Sequence, residues 1–180
     1  MAITRDSIIE AALTILDSYG LPDLSMRRIG SVAGVQAATI YWHFANKQTL
    51  LAALADTIVE KIPSCENLEQ WASASREVMH RYRDSAEIIA ATLAVGLGNS
   101  PFDAQAYELV RRSGMSDEDA RRVVHTLTHF VLGHTMHEQT RQTLMAMKII
   151  DSAQQVRDDE GFADGIAMIL AGSKALRPER

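Results

Sequence analysis

The stretch from Leu24 to Leu51, LSMRRIGSVAGVQAATIYWHFANKQTLL, predicts two short helices joined by a tight turn. Ser25 is a favourable N-cap for the first helix, because its hydroxyl can accept a bond from a backbone N–H of the first turn. Gly34 should end that helix, since a residue without a Cβ enters the left-handed conformation at little cost. The second helix should begin near Gln36. The inward-facing positions of this pair are predicted to be Ile29, Val32, Ala33, Val35 and Ile40.

The outward-facing positions of the second helix carry small or hydrogen-bonding side chains. Such a helix can enter the major groove of DNA, where its N-terminal side chains meet base edges and its flanks meet phosphates. We therefore interpret residues 24–43 as a helix-turn-helix that reads DNA, against the alternative of a helical bundle that only happens to contain such a turn. The outward-facing residues are Ala37, Ala38, Thr39, Tyr41 and Trp42.

The charge distribution favours DNA binding, although the formal net charge of −5 does not. No acidic residue occurs between Asp23 and Asp56, whereas Arg27, Arg28 and Lys47 fall in that window. A DNA-facing surface needs local cations rather than a basic protein, because each phosphate contact is short-range and releases counterions. The acidic remainder should face away from DNA.

Composition and the helical patterns predict an all-α protein, in which an N-terminal three-helix helix-turn-helix domain precedes a larger helical domain. Of 180 residues, 47% are hydrophobic and only 6% aromatic. The single cysteine excludes an internal disulfide and suits a reducing cytoplasm. The chain has no apolar run as long as a membrane span and no basic-then-apolar N-terminus, so we expect a cytoplasmic protein that has no membrane partner.

Three parts are expected along the chain: a helix-turn-helix DNA-binding domain at residues 1–46, a connecting helix at 47–62, and a larger helical domain at 63–180. Thr4 or Asp6 should cap the first helix, and Gly20 should end it. Asn46 should cap the connecting helix, which runs to about Ile62. The predicted inner positions of these two helices are Ile9, Ala12, Leu13 and Leu16, and Leu50, Leu51, Leu54, Ala55 and Ile58.

Beyond Pro63 the sequence predicts further helices, with breaks at Asp84, at 98–101, at 114–116 and at 158–161. Ser116 should cap a long amphipathic helix. In the last helix, the lack of a side chain at Gly165 and Gly172 should allow close approach of a neighbouring element.

The N-terminal third resembles the DNA-binding domain of the tetracycline-repressor (TetR) family of bacterial regulators. The resemblance lies in residues 24–29, in Ala33-Gly34-Val35, in residues 39–44, and in Asn46-Lys47 and Leu50-Leu51. It implies a set of DNA-binding residues. Those residues are Ser25, Met26, Arg27, Gln36, Ala37, Ala38, Thr39, Tyr41, Trp42, His43 and Lys47.

Tetracycline repressors carry glutamine and proline where this chain has Ala37 and Ala38, so its operator should differ. Alanine offers only methyl contact, for instance to thymine. Residues 81–84 and 129–133 resemble the regulatory domain of the same family. That resemblance implies that residues 63–180 are a helical-bundle domain for regulation, ligand binding and dimerisation, with a four-helix interface to a second chain. The two recognition helices would then reach half-sites about 34 to 36 Å apart on a palindromic operator.

The resemblance weakens at the effector site. The family's metal-ligating histidine corresponds to Ile89 here, and its water-bridged glutamate to His137, beside Glu138, although Thr92 matches. We therefore expect no metal and no cofactor, and a small, largely apolar effector. The residues predicted to line its pocket mix apolar walls with a few polar groups. They are Trp71, Met79, Tyr82, Thr92, Phe102, Tyr107, Phe130, His134 and Met136.

Other chemistry has weaker support. His125 with His129, and His134 with His137, have the spacing to share a helix face, but they lack the glutamate of a zinc-protease motif. No nucleophile elbow, phosphate loop or dinucleotide-binding turn occurs. The sequence thus predicts a homodimeric, ligand-responsive repressor that is not an enzyme. Two alternatives remain, a regulator controlled by a protein partner and an enzyme on an all-α scaffold.

Overall fold

A computed structural model of the chain describes residues 3–99, 101–151 and 157–175. These residues form helices and short turns with no strand, which confirms the all-α prediction. None of the described helices is both long and apolar enough to cross a membrane. The helices are α1 (Arg5–Tyr19), α2 (Met26–Val32), α3 (Ala37–His43), α4 (Lys47–Val59), α5 (Leu68–His80), α6 (Ser85–Val95), α7 (Ala104–Arg112), α8 (Asp117–Ala146) and α9 (Asp159–Lys174).

The chain divides into two compact units. The first consists of Met1–Lys61 and Val78–Pro101, and the second of Ile62–Glu77 and Phe102–Arg180. Helix α5 contributes to both. The three-part division at residues 46 and 62 stays a prediction.

Side-chain caps begin the helices where the sequence predicts. Thr4 caps α1, and the Ser25 hydroxyl accepts from the Arg28 N–H at 3.2 Å at the start of α2. The Asn46 side-chain Oδ1 accepts from the Thr49 N–H at 2.9 Å, and the Ser116 hydroxyl caps α8 by accepting from the Asp119 N–H. Helix α4 ends at Val59, short of the predicted Ile62.

The first unit packs α1 against α2 and α4, and α4 against α6. The buried face of α1 differs from the predicted one, since Ile9 and Leu13 are only half-buried. Residues 8–16 contain two overlapping apolar sets with helical spacing, and contacts with α2 and α4 select between them. The buried residues of α1 are Ile8, Ala11, Ala12, Ile15 and Leu16.

The prediction that Val32 is buried is also wrong, because its side chain is 50% exposed. A seven-residue helix buries a single stripe. Met26, Ile29 and Gly30 form that stripe in α2 at i, i+3 and i+4, and Val32 lies outside it.

In the second unit, α8 packs against α7 and α9. Phe130 of α8 stacks on Phe162 of α9 with ring centroids 5.7 Å apart. A Cβ on Gly165 would overlap the Phe130 ring, which confirms the predicted close approach. No atom of the described residues comes within 4 Å of the corresponding position on Gly172.

Candidate DNA-binding surface and effector-binding residues

The α2–turn–α3 segment is held together at Gly30. The Gly30 carbonyl accepts from the Val35 N–H at 2.8 Å, and Gly34 makes the turn with a φ of +71°. A Cβ on Gly30 would lie 2.8 Å from the Val35 carbonyl oxygen, so only glycine fits here without moving backbone. Sequence reasoning missed this residue, although a glycine inside a helical pattern is a signal of close backbone approach.

Helix α3 buries one side and exposes the other. Ile40 is completely buried, whereas Trp42 is 90% exposed and Tyr41 51% exposed. A large aromatic side chain that is so exposed gains little from packing in the chain itself, which favours a role in binding. Gln36 and Ala38 are exposed as well, and the half-buried members of the predicted set are Ala37, Thr39, His43 and Lys47.

Arg5 supports the far end of α3. Its Nη1 donates to the His43 carbonyl at 2.6 Å, and its guanidinium lies 4.2 Å from the centre of the Phe44 ring. A cation at a helix C-terminus satisfies free carbonyls and complements the helix dipole. The sequence does not reveal this contact, because it joins residues 38 positions apart.

At the start of α2, the predicted DNA-facing residues differ in how exposed they are and in what they bond. Arg27 is exposed, Ser25 caps the helix, and Met26 is buried. Arg28 is engaged within the protein, since it pairs with Asp23 and its guanidinium lies 3.9 Å from the Tyr19 ring centre. Arg27 is therefore the cation of this helix that is available to a phosphate.

Helix α6 is attached at both ends to the part of the first unit that carries α1 to α4. At its start, the Asp84 carboxylate accepts from the Leu21 N–H at 2.7 Å, and Asp84 itself has a φ of +54°. After its end, the Asp56 carboxylate of α4 accepts from the Asn99 N–H at 2.9 Å. A displacement of α6 would consequently act on both α4 and the turn that follows α1.

The structure brings together some of the predicted effector-binding residues. In the second unit, the rings of Trp71 and Phe102 lie 5.2 Å apart, and those of Phe130 and His134 5.6 Å apart. In the same unit Tyr107 is half-buried, and Met136 is 41% exposed.

The other members of that set lie in the first unit. Met79 is fully buried and Tyr82 half-buried. The Thr92 hydroxyl donates to the Ile88 carbonyl at 2.8 Å. Ile89 is buried, and its hydrocarbon side chain has no atom that can ligate a metal.

A buried ion-pair cluster that sequence reasoning missed links α5, α8 and α9 in the second unit. The Arg76 Nε donates to Glu138 at 2.9 Å, and its Nη1 donates to Asp159 at 2.7 Å. The guanidinium also lies 4.6 Å from the Phe162 ring centre. Burial by itself lowers the pKa of Arg76, but the bonds to Glu138 and Asp159 outweigh burial and raise that pKa above its ordinary value. Glu138 also accepts from the Asp158 N–H at 2.8 Å, so its carboxylate is bonded to both α5 and the start of α9.

The second unit also contains a cleft of about 370 Å³, formed by residues that the sequence did not single out for a ligand. Apolar and charged side chains both line it. The apolar ones are Leu68, Leu109, Val110, Met115, Val123 and Leu170, and the charged ones are Glu66, Glu69 and Lys174.

His125 and His129 lie side by side on α8, with ring centroids 4.1 Å apart. The His129 Nδ1 is 2.7 Å from the His125 carbonyl oxygen, so that nitrogen is taken up within the helix. Among the described residues, no group of three or more histidine, cysteine or acidic side chains is arranged to hold a metal.

Two family models match the chain. Residues 8–54 match the bacterial regulatory proteins of the tetR family, and residues 65–149 match the tetracyclin repressor-like C-terminal domain. The class E tetracycline repressor of Escherichia coli is 30% identical over 165 residues, which cover 84% of this chain and 76% of that protein. The chain belongs to the TetR family of transcriptional regulators.

Solved structures with a similar fold agree with this assignment. Mycobacterium smegmatis BioQ has a TM-score of 0.86 at 30% identity, with 98% of this chain and 100% of that chain covered. BioQ in complex with its natural double-stranded DNA operator has a TM-score of 0.82 at 29% identity, with 97% and 99% covered. A TetR variant of Acinetobacter baumannii bound to minocycline has a TM-score of 0.79 at 25% identity, with 99% and 100% covered.

Proposed function

We propose that this TetR-family regulator is a homodimeric cytoplasmic repressor that binds a palindromic operator and is released by a small, largely apolar effector. The exposed face of α3 carries the DNA-binding part of the proposal. Tyr41 and Trp42 project from a helix whose position Gly30 and Arg5 determine, and the described residues 24–55 contain no acidic side chain that would repel phosphates. The BioQ complex with its operator supports this role.

Exposed apolar side chains on α8 and α9 support the dimer. Met136 is 41% exposed and Met168 71% exposed, on two helices that pack against each other. A second copy that covers these helices would bury both methionines and pair the recognition helices on one face of the DNA.

The identity and burial of Ile89 support an effector that binds without a metal ion. This position is a buried hydrocarbon where the resemblance places a metal-ligating histidine. We further propose that the effector displaces α6, and that the attachments of α6 to Asp56 and Leu21 transmit the change to the recognition helices. Operator affinity then falls because the two helices no longer match the half-site spacing.

Lys47→Ala should weaken operator binding uniformly across related sequences, because lysine contacts phosphate rather than a base edge. With one lysine lost from each subunit, the slope of log affinity against log salt should become shallower by about 2.

Tyr41→Ala should weaken binding by about tenfold or more through a lost charge-assisted hydrogen bond, with the dimer intact. Fluorescence anisotropy with a duplex selected from random sequences measures both effects.

Lys61→Ala is the matched control, because Lys61 follows the opposite end of α4 from Lys47. It should leave the salt slope unchanged. An equal loss of slope in the two lysine variants would contradict a phosphate contact at Lys47. Loss of the fold in Lys47→Ala or Tyr41→Ala would show a packing role instead.

A thermal-unfolding screen tests the effector. An apolar aromatic compound at one hundred times its dissociation constant should stabilise the protein by about 2.7 kcal/mol. For a chain of this length, that corresponds to an increase in melting temperature of roughly 5 to 11 °C. Magnesium should not be needed. Stabilisation by tetracycline only in the presence of magnesium would contradict the inference from Ile89.

A further inference from the structure

Two buried polar atoms on one face of α5 have no hydrogen-bond partner among the described residues. They are the Trp71 indole nitrogen and the Ser75 hydroxyl, and both side chains are fully buried. Native proteins leave few buried polar atoms unpaired, because each loses its bonds to water without gaining others. A polar atom of a bound ligand would satisfy both groups.

The positions of the two groups indicate what that atom is. Residues four apart on a helix are neighbours on its surface, so the two polar atoms belong to the same face of α5. An indole N–H can only donate, and a hydroxyl can donate as well. Trp71 also packs on Phe102 with ring centroids 5.2 Å apart, which gives the site an aromatic wall. Two donors beside aromatic surface are complementary to an acceptor oxygen on an apolar molecule.

The adjacent charge indicates a neutral ligand. Arg76 follows Ser75 on α5, and its guanidinium is already bound by Glu138 and Asp159. The cation next to Ser75 is therefore already neutralised by protein carboxylates.

We propose that Trp71 and Ser75 hold the effector by donating hydrogen bonds to a carbonyl or ether oxygen on an otherwise apolar, uncharged molecule. This proposal rests on the effector-binding function proposed above, and it names the chemistry that the effector must carry. The two donors distinguish such a molecule from a hydrocarbon of the same shape.

The experiment uses the full-length chain and two matched probe pairs, 9-fluorenone with fluorene and benzophenone with diphenylmethane. In each pair only the acceptor oxygen differs. The chain has two tryptophans, so Trp42→Phe makes Trp71 the sole tryptophan reporter. Titration followed by Trp71 fluorescence should give at least one ketone an affinity about tenfold higher than that of its hydrocarbon.

Ser75→Ala in this background should remove most of the preference for the ketone. Ser73→Ala is the matched control, since Ser73 is an exposed serine on the same helix, and it should keep the preference. Trp71→Phe, followed by the increase in melting temperature on probe binding, provides the second variant. Circular dichroism checks that each variant is folded.

Equal affinity for ketone and hydrocarbon, or a preference that survives both Ser75→Ala and Trp71→Phe, would overturn the role of the two donors while the apolar effector site stands. Binding of none of the four probes would overturn this proposal together with the apolar effector. Operator affinity of the unliganded protein is measured separately, so the DNA-binding function is judged independently of either result.

Discussion

Replacing Arg76 with methionine should lower the free energy of unfolding by about 3 to 5 kcal/mol, the usual cost of removing one partner of a buried ion pair. Arg76 is 4% exposed and Glu138 is 1% exposed. The substitution leaves the Glu138 carboxylate in a buried position without the guanidinium that binds it. It also removes the link from α5 to Asp159 at the start of α9. Urea denaturation followed by circular dichroism, at fixed protein concentration because the protein is expected to dimerise, measures the change.

Two further variants separate the buried pair from a general effect of losing an arginine. Arg122→Met removes an exposed cation that pairs with Glu118 and Asp119 on α8, and it should cost less than about 1 kcal/mol. The double variant Arg76→Met with Glu138→Leu should recover part of the lost stability, because it removes the stranded charge as well. If Arg76→Met and Arg122→Met destabilise equally, the buried cluster does not stabilise the fold.

The ion pairs of Arg76 could not be predicted from the sequence. Arg76 bonds to Glu138 and Asp159, which lie 62 and 83 positions further along the chain. No local pattern connects residues so far apart, and an arginine in an amphipathic helix is typical of an exposed position. Only the packing of α5 against α8 and α9 makes it a buried one.

Local interactions, by contrast, could be predicted. Ser25, Asn46 and Ser116 cap helices at the predicted positions, because a cap joins a side chain to a backbone N–H only three residues away. The face of α1 could not be predicted in the same way. Two apolar sets in residues 8–16 satisfy helical spacing equally, so the choice belongs to the neighbouring helices.

For the candidate sites, the residue types in the sequence suggested which side chains take part. The sequence did not reveal their burial or their contacts. The exposed Tyr41 and Trp42 on α3 fit the predicted DNA-facing surface. The assignment of those residues to DNA contacts stays a prediction. Residue types also selected Trp71 and Phe102, which the structure places in contact. They did not identify Ser75, whose hydroxyl is buried and has no hydrogen-bond partner among the described residues.

Replacing Gly30 with valine should weaken operator binding by at least about 30-fold, because loss of two base contacts at about 1 to 3 kcal/mol each has an effect of this size or larger. A Cβ at this position would lie 2.8 Å from the Val35 carbonyl oxygen and 3.2 Å from the Ala37 nitrogen. Both are backbone atoms, which cannot rotate away as a side chain can. Helices α2 and α3 must therefore separate, and the recognition helix must leave its position relative to the rest of the motif.

Gly34→Asn provides the comparison. Gly34 has a φ of +71°, which asparagine tolerates better than most residues, and no described atom lies within 4 Å of a Cβ there. This variant should retain most of its operator affinity, as measured by anisotropy with the same labelled duplex. Near-equal affinities for Gly30→Val and Gly34→Asn would show that α3 can shift without losing its DNA contacts. A selective loss in Gly30→Val, with the dimer intact by gel filtration, would show that operator recognition depends on the close approach of α2 and α3.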